Sequence, residues 1–169
     1  KGHFVAATAL FASLVACSAH ADPRKLGCLT IEAVDEKADY PELADAVATC
    51  IDQEDYVKAA PLYAMARVYA LYDSSRVTDR TGIGAARLLM EALIAKIAPA
   101  KVSAFNQYQT AEIYNKPAGR LALCNVLAGR TPPAAVPQYM ITHGLDSFRH
   151  DAPQPLKASF HPAPGWKDA

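Results

Sequence analysis

The chain is predicted to be all-α: about five helices in a bundle that carries a repeat-like helical hairpin and ends in a Pro-rich irregular C-terminal segment. Three observations predict it. Between residues 41 and 128, apolar residues recur at three- and four-residue spacing, as on one buried helix face. The composition is rich in Ala, the strongest helix former. Seven of the twelve prolines fall in 130–169, which excludes continuous helix there. The organisation reads as an export signal (1–21), an N-terminal arm (22–40), a helical domain (41–148) and a Pro-rich tail (149–169).

Lys1 and His3 give a short cationic start, and Phe4 to Ala16 form an apolar run. That run is too short to cross a hydrocarbon core, which needs about 20 residues, so a cleaved signal peptide is expected. Two processing signals overlap. Leu14-Val15-Ala16-Cys17 fits a lipobox, with Ser18 following, and Ala19-His20-Ala21 fits an ordinary cleavage site before Asp22. The first makes Cys17 an acylated lipoprotein terminus with an outer-membrane address. The second frees the protein in the periplasm. Acylation at Cys17 is the favoured expectation.

In the arm, Leu29-Thr30-Ile31 is a short strand or irregular structure. Pro41 suits a first helical turn, and Leu43, Ala46, Val47, Cys50 and Ile51 form the stripe of a first helix. A second covers 55–73 with Leu62, Met65, Ala66, Tyr69 and Tyr72 on one face, and Pro61 is expected to kink it or mark the start of its straight part. Asp79 or Thr81 caps a third that runs to Ala98, with Ile83, Ala86, Met90, Leu93 and Ile97 inward. A fourth spans 100–114 with a weaker stripe, and a fifth, 118–128, ends at Gly129. A turn of helix near 136–143 is expected within a segment, 132–148, that packs back on the bundle. Residues 151–169 are expected to be extended or mobile, with Trp166 as a docking point.

Lys plus Arg and Asp plus Glu are balanced at 17 each, and no basic cluster stands out, which argues against a nucleic-acid partner. Membrane association is expected only through the lipid.

The stretch Asp55-Tyr56-x-x-Ala59-x-x-x-Tyr63-x-x-Ala66, preceded by Leu43, Ala46 and Cys50, resembles one tetratricopeptide-type helix pair. It departs from that family at Val47, where a small residue is usual, at Pro61, and in lacking the closing proline. The resemblance implies a protein-binding surface. In size, address and helix content the chain also resembles small bacterial envelope proteins, including immunity proteins.

Cys28, Cys50 and Cys124 remain for folding by either processing route. In an oxidising compartment a disulfide is expected, and Cys50 with Cys124, both on apolar helix faces, is the favoured pair, with Cys28–Cys50 the alternative. No metal-ligand spacing appears, and no metal or cofactor is expected. His143, Asp146 and Ser147 hold the ingredients of acyl transfer without a nucleophile elbow, so His143 is read as structural at the turn before Gly144. Gly82-Ile83-Gly84 lacks the context of a nucleotide loop. Glu32, Asp35, Glu36 and Asp39 form a solvated acidic patch or a contact for a basic partner or cation. Tyr63 and Tyr69 are read as packing residues. Tyr56, Arg67, Tyr72 and Arg76 are the binding-surface candidates, since Tyr and Arg are common interface anchors, with core packing the competing reading.

The expected function is a non-catalytic protein-binding protein of the bacterial cell envelope. In its sharpest form it is an immunity protein that neutralises a periplasm-acting toxin. The alternatives are an envelope assembly or scaffold lipoprotein, a homodimer meeting through Tyr72 or Trp166, and, least favoured, a cell-wall hydrolase using His143.

Overall fold

The computed structural model describes residues 24–169; the expected export signal (1–21) and Cys17 lie outside the described residues. Helix α1 (Tyr40–Asp52) begins at a reciprocal capping box. The Glu42 N–H donates to Asp39 Oδ1 at 3.0 Å, and the Asp39 N–H to Glu42 Oε2 at 3.2 Å. Its predicted stripe, Leu43, Ala46, Val47, Cys50 and Ile51, is entirely buried.

Three residues join α1 to α2 (Tyr56–Arg76). The Glu54 N–H donates to the Ile51 carbonyl at 3.0 Å and the Asp55 N–H to the Cys50 carbonyl at 2.9 Å. This closes the last turn of α1 as a Schellman motif. It puts Glu54 at φ 62°, a left-handed position more often given to Gly. Asp55 then caps α2 by accepting from the Lys58 N–H. One residue ends the first helix and starts the second, which fixes the hairpin tightly. Helix α2 continues through Pro61 to Arg76, flanked there by buried Ala59, Ala60 and Leu62.

The third predicted helix is shorter at both ends. Asp79 caps a 3-10 turn (Arg80–Gly84), and α3 spans Ala85–Ile94. Gly82 is pressed against the next segment: a Cβ there would meet the Met140 carbonyl at 2.2 Å. At the other end Ala98 precedes Pro99 and is held extended at ψ 130°, as pre-proline residues prefer, so the helix cannot run on to it. Then come α4 (Pro99–Gln109), a π turn (Thr110–Tyr114) and α5 (Pro117–Ala128). A short α6 (Gln138–Ile141), a 3-10 turn (Leu145–Phe148) and α7 (Pro162–Asp168) complete an all-α fold. Among the described residues the only strand-like pairing is a bridge between Val77 and Leu156, and no helix is long and apolar enough to cross a membrane.

The arm is irregular apart from a 3-10 turn (Ile31–Ala33), and three devices hold it. The Arg24 guanidinium donates to buried Glu42 at 2.9 Å and to Asp35 at 2.9 Å. Arg130, just beyond α5, donates to the carbonyls of Ile31 and Val34. Cys28 is disulfide-bonded to Cys50, their Cα atoms 4.8 Å apart. This corrects the favoured Cys50–Cys124 pairing. Helix α5 has no buried residue and meets the body mainly at the preceding π turn, so Cys124 stays exposed as a free thiol.

The C-terminal segment is not an extended tail. Its Lys157 N–H donates to the Arg76 carbonyl at 2.8 Å, and the Thr78 N–H to the Pro155 carbonyl at 3.0 Å. Helix α7 then brings Trp166, the predicted docking point, to 7% exposure with its ring edge-on to Tyr69.

Two predictions follow from these ties. Reducing Cys28–Cys50, which closes a separation of 22 residues, is expected to cost about 3 kcal/mol in urea unfolding. Asp79 accepts from the Thr81 hydroxyl, the Asp146 N–H and the Thr81 N–H, which together hold its carboxyl below its ordinary 3.8. The stability this gives is complete above that value and lost as pH falls through the lower folded value. Asp79→Ala should therefore melt below the parent at pH 7, and the gap should narrow as pH falls below the ordinary carboxylate value.

Candidate functional site

The structure divides the four surface candidates of α2 between two faces. Tyr72 is 2% exposed and Arg76 8%. Phe160 and Trp166 meet the Tyr72 ring edge-on, and the Arg76 guanidinium lies 5.0 Å over its centroid. Arg76 also donates to Asp73 at 2.7 Å and to the Ala135 carbonyl. Both residues are thus corrected from a binding surface to internal anchors, because the C-terminal segment returns over them. Their pair is further locked by Tyr139, whose hydroxyl donates to Asp73 Oδ2 at 3.0 Å. Burial pushes the Asp73 carboxyl up, with the Arg76 charge opposing.

Tyr56 is half-buried and packs its ring against Phe105 and Tyr108 of α4. Arg67 is exposed and makes no ion pair among the described residues.

Arg67 overlooks an open groove of about 530 Å³ between α2 and α3. Helix α2 contributes Tyr63, Arg67, Ala70, Leu71 and Ser74; α3 contributes Ala86, Arg87, Met90, Glu91 and Ile94. Tyr40 and Ile83 complete the lining. Ala86, Met90 and Tyr40 are buried, so they supply the apolar floor. The Tyr40 ring is fixed by its hydroxyl, which donates to the Ala86 carbonyl at 2.6 Å, and by stacking on Tyr139 with centroids 4.9 Å apart. Burial raises its phenol above the ordinary tyrosine value. Arg87 and Glu91 pair at 2.7 Å along the rim. The size is that of a ligand or peptide-docking cleft, and the lining is apolar with few polar groups.

Sequence reasoning placed Arg67 on a surface and Met90 and Ala86 inward, but not opposite one another. It missed Arg87 and Glu91. Their four-residue spacing on α3 was the available signal, a polar edge beside the apolar stripe.

The other motifs do not assemble into chemistry. His143 Nδ1 lies 2.7 Å from the Tyr139 carbonyl, as a structural histidine at a turn would. The Ser147 hydroxyl donates to the Gly144 carbonyl at 2.6 Å, and Asp146 faces Arg149, so no hydrogen bond links the three. Gly82 meets Met140 rather than a phosphate cradle. In the acidic patch, Asp35 pairs with Arg24, Asp39 caps α1 and Glu36 accepts from Thr131. Among the described residues no three His, Cys, Asp or Glu side chains group as metal ligands.

No family model matches the chain, and no match was found among curated proteins or solved structures.

The two faces of α2 should respond oppositely to truncation. Tyr72→Ala is expected to lose about 3–5 kcal/mol of stability through the cavity it leaves under α7. Arg67→Ala should stay within about 0.5 kcal/mol of the parent. Urea titration followed by circular dichroism reads both.

Proposed function

We propose that this is a non-catalytic protein of the bacterial cell envelope that binds another protein through the groove between α2 and α3. The observation that carries the reading is the groove itself, an apolar floor with a charged rim on an otherwise well-covered central helix. The repeat-like α1–α2 hairpin supports it, since helix pairs of that type commonly present binding surfaces. The Cys28–Cys50 disulfide and the export signal both favour an oxidising, extracytoplasmic setting, with Cys17 as the proposed lipid anchor. In its sharpest form the partner is a periplasm-acting toxin and this protein its immunity factor.

The test is capture of partners from the native cells on tagged mature protein, identified by mass spectrometry. Leu71→Glu, at the groove rim and 51% exposed, should lose the captured partner; Leu88→Glu, 54% exposed and outside the groove, should keep it. Loss with both variants or with neither rejects the groove as the binding face. If the partner is a toxin, co-expression should protect cells from it, and Leu71→Glu should remove that protection.

A further inference from the structure

We propose that the groove selects a peptide segment carrying a carboxylate beside an apolar side chain, with Arg67 and Tyr63 as the selecting residues. This rests on the α2–α3 groove being the binding face. Most polar groups in the groove are already satisfied within the chain. The Tyr40 hydroxyl donates to the Ala86 carbonyl, the Ser74 hydroxyl donates to the Leu71 carbonyl at 2.8 Å, and Arg87 pairs with Glu91. Among the described residues, the two polar groove side chains that make no hydrogen bond within the chain are Arg67 and Tyr63. They stand four residues apart, one turn along the same face of α2.

Arg67 offers only donors, and the Tyr63 hydroxyl offers one more. The Tyr63 ring is held edge-on to Phe105, with centroids 5.8 Å apart, so its hydroxyl is presented from an ordered ring. With Arg87 neutralised by Glu91, Arg67 leaves the rim with net positive charge. Its complement is an anionic acceptor, and a carboxylate matches the guanidinium fork with two parallel hydrogen bonds. The floor under this pair, formed by Met90 and Ala86, is apolar and calls for a hydrocarbon side chain. An uncharged apolar segment would cover Arg67 without giving it a partner, at a desolvation cost. A bare anion would leave the floor wet. A segment that carries both groups satisfies both halves of the groove.

The probes are two labelled amphipathic helical peptides with leucines at i, i+4 and i+7, identical except that the flanking positions are Glu in one and Lys in the other. Fluorescence anisotropy with the mature protein should show the Glu peptide binding about tenfold more tightly, the scale of one charge-assisted hydrogen bond. Arg67→Glu should reverse the order, and Tyr63→Phe should narrow the difference. Equal binding of the two peptides, an order unchanged by Arg67→Glu, or no binding by either up to about 1 mM overturns the selectivity. Leu71→Glu separates this outcome from failure of the groove. If it weakens both peptides while their affinities are equal, the groove stands and the carboxylate preference falls. If it leaves bound peptides unaffected, the groove reading falls as well.

Discussion

Helix α2 has no continuous polar face, and a helix of that kind is stable in water only once it is covered. Its buried residues Ala59, Leu62, Met65, Ala66, Tyr69, Tyr72 and Asp73 span a wide sector of its circumference. The other elements supply that cover in turn: α1 across the hairpin, α4 beside it and α7 at its C-terminal end. Each large apolar side chain placed there contributes roughly 1.5–3 kcal/mol by burial, so covering α2 is a large gain for the fold. Alanines on both hairpin helices, such as Ala46, Ala59 and Ala66, keep the contact surfaces small and let the backbones approach closely. The tight Glu54–Asp55 connection then leaves little choice in how the two helices meet.

Covering the end of α2 raises a problem, because Asp73 and Arg76 go inside with it. A buried pair is not a net source of stability unless its remaining hydrogen-bonding capacity is met. Here Tyr139 supplies a donor to Asp73, and the Ala135 carbonyl accepts from Arg76. Both partners come from the segment after α5, so that segment must return for the pair to be tolerated. The same return places Tyr139 on Tyr40 and Met140 against Gly82, and so positions the floor of the groove. The internal ion pair therefore works as a register device: it selects one docking of an irregular, Pro-rich segment over many apolar alternatives.

The pattern of apolar spacing made the helices legible but not their orientation in space. Leu43, Ala46, Val47, Cys50 and Ile51 were readable as one stripe, and all five are buried. What faces the stripe was not readable. Cys50 sits beside Cys28 because Arg24, Glu42 and Asp35 hold the arm against α1, and such polar ties leave no periodic trace. Cys124 looked equally buried, since Leu121, Cys124 and Ala128 share a face, yet α5 turns that face outward. Tyr72 and Arg76 looked like interface anchors for the same reason: aromatic and guanidinium groups cover α7 inside the chain as well as they would cover a partner. The clue to their burial lay far along the sequence, in Phe160 and Trp166, which required an aromatic neighbour to pack against.

The groove is the remainder of this arrangement. Once α1, α4 and α7 have taken their sectors of α2, the sector bearing Tyr63, Arg67, Ala70, Leu71 and Ser74 has α3 only across an open cleft. A fold driven solely to cover α2 would close that cleft with apolar side chains, as it does elsewhere. Instead, Arg67 sits in the open sector without a counterion among the described residues, and the Arg87–Glu91 pair lines the opposite rim. An exposed cation holds the cleft open to water, because closing over it would bury an unpaired charge. On the reading proposed above, the same property suits the cleft to an outside segment that brings a counterion with it. Stability accounts for the covered sectors of α2, and the uncovered one is the sector to which we assign the proposed binding.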